Sequence, residues 1–140
     1  MYKKILLPID GSEIAKKAAK EALFVADSMG AEIIVMTTVE TNPFIEASVG
    51  EAISEIEDLM KKEADRIIDE IYAMDTGNVK MTPKIAKGNP AQEILDTSDK
   101  GEIDLIVIGS TGKSSFDKLI LGSVADNVTT KAKCSVLVVH

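Results

Sequence analysis

Short, unbroken apolar runs alternate along this chain with segments whose apolar residues recur at helical spacing. That alternation is the strongest constraint on the fold. A strand that is apolar on both faces must be covered on both faces, and in βαβ units the crossover helices provide the cover. The first run, Lys4 to Ile9, ends in Pro8-Ile9-Asp10-Gly11-Ser12. From Glu13 to Met29 the residues Ile14, Ala15, Ala18, Ala22, Val25, Ala26 and Met29 paint one helical face. Ser12 stands at its N-cap position and Gly30 at its stop. A second buried strand follows over Glu32 to Val39. Thr41 to Gly50, with Pro43, reads as irregular.

From about Glu51 to Met74 the stripe Ile53, Ile56, Met60, Ala64, Ile67, Ile68 and Ile71 predicts a long amphipathic helix with a charged outer face. Val79 to Ala86 alternates as a strand, and Pro83 demotes it to a sheet edge. Gly88-Asn89-Pro90 stops that strand and starts a short helix, with Pro90 at its first position. Ile103 to Ile108 is the fourth strand, Ser123 to Lys133 the final helix and Ser135 to Val139 the fifth strand. The order β-α-β-α-β-α-β-α-β means a mostly parallel sheet with helices on both faces and right-handed crossovers. No linker divides the chain, so residues 1–140 read as one domain.

Composition removes several function classes. The 140 residues are 45% apolar, enough for a packed core without staples. Cys134 is the only cysteine, which excludes an internal disulfide and a cysteine-based zinc site. His140 is the only histidine, so a Ser-His-Asp triad or a histidine metal centre is not expected. Net charge is −7, with 16 basic residues scattered among 23 acidic ones. A nucleic-acid partner needs basic residues gathered on one face, so none is expected. The first apolar run is broken by Pro8 and Asp10, too early for a signal peptide. No apolar run reaches the roughly 18 residues of a membrane span. The expected location is the cytoplasm.

In open α/β sheets ligands bind beyond the carboxyl ends of the strands, where strand order reverses. Two such ends are rich in polar and small residues. One is Pro8-Ile9-Asp10-Gly11-Ser12; the other is Gly109-Ser110-Thr111-Gly112-Lys113-Ser114-Ser115, leading to Gly122-Ser123. Gly112-Lys113-Ser114 suggests a P-loop, but that motif needs a glycine five residues before Gly112, where Val107 stands. The remaining pattern is Gly109-x-x-Gly112, then nine residues, then Gly122-Ser123 at a helix start. First-turn N–H groups at Gly122, Ser123 and Val124 have no helical partners, and the helix dipole adds positive character there. Both favour a phosphate. The bland readings are also physical. Asp10 serves as a turn residue, Gly109 and Gly112 as turn glycines, and Ser123 as a plain N-cap.

These residues carry a resemblance. The chain resembles the universal stress proteins of the ATP-binding subgroup along its whole length. It does so through Ile5-Leu6-Leu7-Pro8-Ile9-Asp10-Gly11-Ser12-Glu13, Gly88-Asn89-Pro90, Asp104 to Gly112, Gly122-Ser123-Val124 and Val136 to Val139. The resemblance implies a three-layer α/β sandwich of the adenine nucleotide α-hydrolase-like kind, with a five-stranded parallel sheet in order 3-2-1-4-5. It implies ATP as ligand, with adenine near Pro8, Ile9 and Val39. Asp10 would face the ribose or a phosphate-bound Mg²⁺ or Mn²⁺. Gly109, Gly112, Gly122, Ser123 and Val124 would hold ribose and phosphates. Two positions depart from the family: Thr111, often basic or histidine, and Ser135, usually proline.

The implied function is a nucleotide-dependent regulatory module in stress response, with slow or no hydrolysis. Arg66 is the only arginine and sits mid-helix on the polar face, so an arginine finger in cis is not expected. The alternatives are a slow ATPase, or a dimeric chaperone-like interaction protein that holds ATP structurally. The apolar last strand, Ser135 to Val139, needs cover as a sheet edge. The resemblance implies that two copies pair there as a homodimer, with a further protein partner unidentified.

Overall fold

A computed structural model describes residues 1–41, 43–49, 52–112 and 120–140. The chain runs β1 (Lys4–Pro8), α1 (Glu13–Met29), β2 (Glu32–Val39), α2 (Pro43–Val49), α3 (Ala52–Tyr72), β3 (Met81–Lys87), α4 (Pro90–Lys100), β4 (Leu105–Gly109), α5 (Ser123–Lys131) and β5 (Ser135–Val139). The five strands form one sheet in order β3-β2-β1-β4-β5, and every pair is parallel. The predicted fold is therefore the observed one.

Side chains alternate across β1 and sort the core into two layers. Ile5 and Leu7 join α1 and α3 on one face; Leu6 joins Ile94 of α4 and Val128 of α5 on the other. All three β1 side chains are fully buried, which is why this strand reads as a continuous apolar run. Fully burying side chains of this size stabilises the fold by about 1.5–3 kcal/mol each. β3 and β5 are the edges. Pro83 lies on β3, opposite Val35 of β2 alone, where its missing N–H faces no outer strand.

Local signals account for most element ends. Ser12 accepts from the Ala15 N–H at 3.1 Å and caps α1, while Gly30 ends it at φ 68°. Asn89 accepts from the Gln92 N–H at 3.0 Å and caps α4, with Pro90 in the first turn. The ends of other elements differ from expectation by a few residues: β3 starts at Met81, β4 covers Leu105–Gly109 and α5 stops at Lys131. One expectation fails outright. The stretch read as irregular contains helix α2, for which Pro43 is a helix-starting residue and not a breaker.

The end of α4 departs from the usual glycine rule. The Ile103 N–H donates to the Ser98 carbonyl at 3.1 Å, the long-range bond of a Schellman ending. The left-handed residue in that ending is Glu102, at φ 53°, and not the adjacent Gly101. Gly101 is held to glycine for another reason: a Cβ there would lie 2.8 Å from the Thr97 carbonyl oxygen. Glu102→Gly should therefore relieve left-handed strain and raise stability by about 0.5–1 kcal/mol. Urea denaturation reads the change, and a loss of stability would refute it.

The Asp104 carboxylate fastens the start of β1. It accepts from the Lys3 N–H at 2.9 Å and from the Lys4 N–H at 3.3 Å. This motif aspartate thus has a structural task at the end of the sheet opposite the cleft.

Candidate functional site

The reversal of strand order falls between β1 and β4, whose registers align Ile5 with Leu105 and Leu6 with Ile106. Beyond their carboxyl ends lies a cleft of about 660 Å³. Its walls come mainly from five elements. Pro8, Ile9 and Asp10 follow β1; Gly109 to Gly112 follow β4; Gly122, Ser123 and Val124 open α5; and Met36, Thr38 and Glu40 end β2. Pro90 and Ile94 of α4 complete it. Eight of the nine residues expected at a site are brought together here.

Val39 is the exception. Strand alternation sends Met36 and Thr38 toward the cleft, Glu40 just past the strand lines both this cleft and a second hollow, and Val39 lines only that second hollow, on the other face of the sheet. Its backbone carbonyl accepts from the Gly88 N–H at 3.0 Å. Sequence reasoning missed Thr38 and Glu40, although the two-residue period of β2 was legible and would have found them.

Asp10 is half-buried and holds the turn after β1. Its Oδ1 accepts from the Ser12 N–H at 2.9 Å, and Gly11 turns through φ 81°. The helix cap is Ser12, so Asp10 does not cap α1 itself. Its Oδ2 lies 2.8 Å from where a Cβ on Gly112 would stand. Glycine at 112 therefore lets the carboxylate sit against the second loop.

The start of α5 also differs from the sequence reading. Ser123 is the first helical residue and not the cap; the cap is Gly122, with no side-chain hydrogen bond to the first turn. A helix start without a side-chain acceptor keeps its first-turn N–H groups available to an anion. Gly122 is clamped by the loop after β4. Its N–H donates to the Ser110 carbonyl at 2.7 Å, so this donor, expected to face a phosphate, is committed within the protein; the Ser110 N–H donates to the Val139 carbonyl at 2.8 Å. Buried Ser110 thus ties β5, the loop and α5 together, a role that no sequence signal announced. A Cβ on Gly122 would approach Ser110 O to 3.2 Å and Thr111 Cα to 3.3 Å. At Gly109 a Cβ would lie 2.7 Å from Ile14 Cγ2. Close packing between parts of the protein is thus sufficient reason for glycine at 109, whereas at 122 a side chain would require the loop after β4 to give by a few tenths of an ångström.

The cleft joins two chemistries. At the β4–α5 side it offers main-chain donors and a helix N-terminus; Asp10 stands at the switch point and Glu40 at the mouth. Lys113, in the loop after β4, lies outside the described residues. Arg66 is on the outer face of α3, where Glu63 accepts at 2.6 and 2.9 Å and Glu70 makes a further ion pair. These carboxylates raise its pKa above the ordinary guanidinium value. Among the described residues no group of three or more His, Cys, Asp or Glu is arranged to hold a metal. No described helix is long and apolar enough to cross a membrane. Cys134 packs beside the α4–α5 core, and burial raises its thiol pKa against an opposing Ser98 hydrogen bond.

The model of the universal stress protein family matches residues 1–140. This chain belongs to that family. Universal stress protein MJ0531 of Methanocaldococcus jannaschii is 36% identical over 140 residues, covering 99% of this chain and 82% of that protein. The solved structure of MJ0577, from the same organism, superposes with a TM-score of 0.86 at 33% identity, covering 99% of this chain and 96% of that one. A universal stress protein from Archaeoglobus fulgidus in complex with dAMP shares the fold, with a TM-score of 0.64 at 21% identity and 99% and 98% coverage.

Proposed function

We propose that this universal stress protein binds ATP in the cleft and acts in the cytoplasm as a nucleotide-dependent regulatory module in stress response, with slow or no hydrolysis. The observation that carries the reading is the start of α5: a helix N-terminus capped by Gly122 alone, opening on the cleft beside Gly112 and Asp10. Such an end receives phosphate through main-chain N–H groups and the helix dipole. Gly109, Gly112, Gly122, Ser123 and Val124 hold the ribose and phosphates. Pro8 and Ile9 lie under the adenine, and Val39 contributes at most through its backbone. A relative that carries dAMP favours the adenine assignment.

Asp10 suits a divalent ion only in partnership with the nucleotide. One carboxylate plus phosphate oxygens is an ordinary Mg²⁺ set, and Mn²⁺ accepts the same donors. Such an ion would neutralise phosphate charge beside Asp10. Slow turnover is supported by the place of the arginine, which is on the outer face of α3 paired with Glu63 and Glu70. Hydrolysis faster than about 1 s⁻¹, the low end of ordinary enzymes, would overturn this part. Pairing of two copies through β5 is part of the proposal. β5 is an edge strand, and Leu137 on it is 37% exposed.

The test is to denature protein purified without added nucleotide and identify any released small molecule by mass spectrometry. Released ATP is the expected result, from a preparation that sediments as a dimer at micromolar concentration. No nucleotide, followed by no thermal shift with MgATP, would refute ATP binding. A monomer would refute the pairing alone.

A further inference from the structure

A second hollow, of about 470 Å³, lies on the opposite face of the sheet from the nucleotide cleft, between α2, α3 and the ends of β2 and β3. Its origin is a mismatch of lengths. Helix α3 has 21 residues and spans about 31 Å at the helical rise. Strand β3 has 7 residues and spans about 23 Å. The apolar stripe of α3 is continuous, but it is fully covered only in its second half. Ala64, Ile67 and Ile71 are buried, whereas Ile56 and Met60 on the same stripe are 40% and 41% exposed. Val39 and Ile85 form the apolar floor beneath them.

The rim is acidic. Lys87 is held by Glu57 at 3.3 Å. Beyond that pair the lining carries Glu40, Glu46 and Asp58 and one further cation, Lys61, so carboxylates outnumber ammonium groups around the hollow. An apolar groove along a helix, with carboxylates at its edge, is complementary to an amphipathic helix whose polar face is basic.

We propose that this hollow is a docking groove for a basic amphipathic helix of a partner protein. The helix lays its apolar side chains against Ile56, Met60 and Ile85, and its lysines or arginines meet Glu40, Glu46 and Asp58. An anionic membrane is disfavoured by the same carboxylates. The proposal does not depend on the nucleotide reading of the other cleft, and its test needs no nucleotide.

The probe is a synthetic amphipathic helix built only of leucine and lysine, titrated into the full chain by fluorescence anisotropy. Binding should weaken about tenfold in Ile56→Glu and in Met60→Glu, since each removes an apolar contact and places a charge in the groove. Asp58→Lys should weaken binding and flatten its salt dependence. Glu21→Lys, on exposed α1, should change neither, and the melting curves of all four variants check the fold. A leucine–glutamate helix should not bind. The proposal is overturned if the leucine–lysine helix does not bind, binds all variants alike, or binds no better than its glutamate counterpart. It is overturned in favour of a membrane if phosphatidylglycerol vesicles bind with the same sensitivity to Ile56→Glu. It is overturned in favour of a second copy if wild-type oligomers dissociate in that variant.

Discussion

Gly122→Val should weaken ATP binding about a hundredfold while leaving the chain folded. The position is the cap of α5, and its missing side chain keeps first-turn donors open to the cleft. A Cβ alone would already approach Ser110 O to 3.2 Å and Thr111 Cα to 3.3 Å. The two γ-methyls of valine must then either push the loop after β4 away or stand over the donors. Losing two hydrogen bonds to phosphate, at about 1.5 kcal/mol each, weakens binding by roughly a hundredfold. The accompanying overpacking should lower stability by about 1–3 kcal/mol, so the variant is checked for a cooperative melt before titration. Calorimetry with MgATP gives the affinity. A folded variant with undiminished affinity would mean that α5 is not the phosphate seat, whatever the cleft binds.

The second large effect is on stability alone. Gly109→Ala should destabilise the nucleotide-free protein by about 1–3 kcal/mol. The new Cβ would lie 2.7 Å from Ile14 Cγ2, a methyl close to the α1 backbone that cannot swing clear, and 3.4 Å from the Ile14 carbonyl carbon. Ile14→Ala deletes that methyl. In the Ile14→Ala background the cost of Gly109→Ala should therefore fall, with a coupling of about 1 kcal/mol. Urea denaturation of the four proteins of the cycle measures it. An unchanged cost in both backgrounds would show that crowding by Ile14 is not why glycine stands there. The result bears on how the glycine pattern is read. Gly109 and Gly122 look in sequence like residues that admit a ligand to the backbone. In the fold both also admit one part of the protein to another.

Most of the architecture was legible from local signals. β1 is apolar from Ile5 through Leu7 on both faces, so it had to lie in the middle of a sheet covered on both faces. Ser12 and Gly30 marked the ends of α1, and Asn89 with Pro90 marked the start of α4. Pro83 placed β3 at an edge. These signals survive because each acts within a few residues, through a cap, a fixed φ or a side-chain period. Helix α2 was misread because a proline fits either a loop or a first helical turn, and only the residues around it decide.

The candidate cleft was legible in its loops but not in its walls. Asp10 and the glycines were named because small and acidic residues after a buried strand stand out. Thr38 and Glu40 do not, since they look like ordinary strand-end residues, and the face taken by the Val39 side chain is decided by how β2 sits in the sheet. The strand-to-helix pattern and the charged outer face of α3 belong to the residues themselves. Three things belong to the tertiary structure alone: Ser110 bracing β5 against α5, the contact of Gly112 with Asp10, and the uncovered first half of the α3 stripe. Each brings together groups far apart in the chain, or depends on how far a helix overhangs a strand. A local sequence window carries information about what a residue prefers, and none about what it will meet.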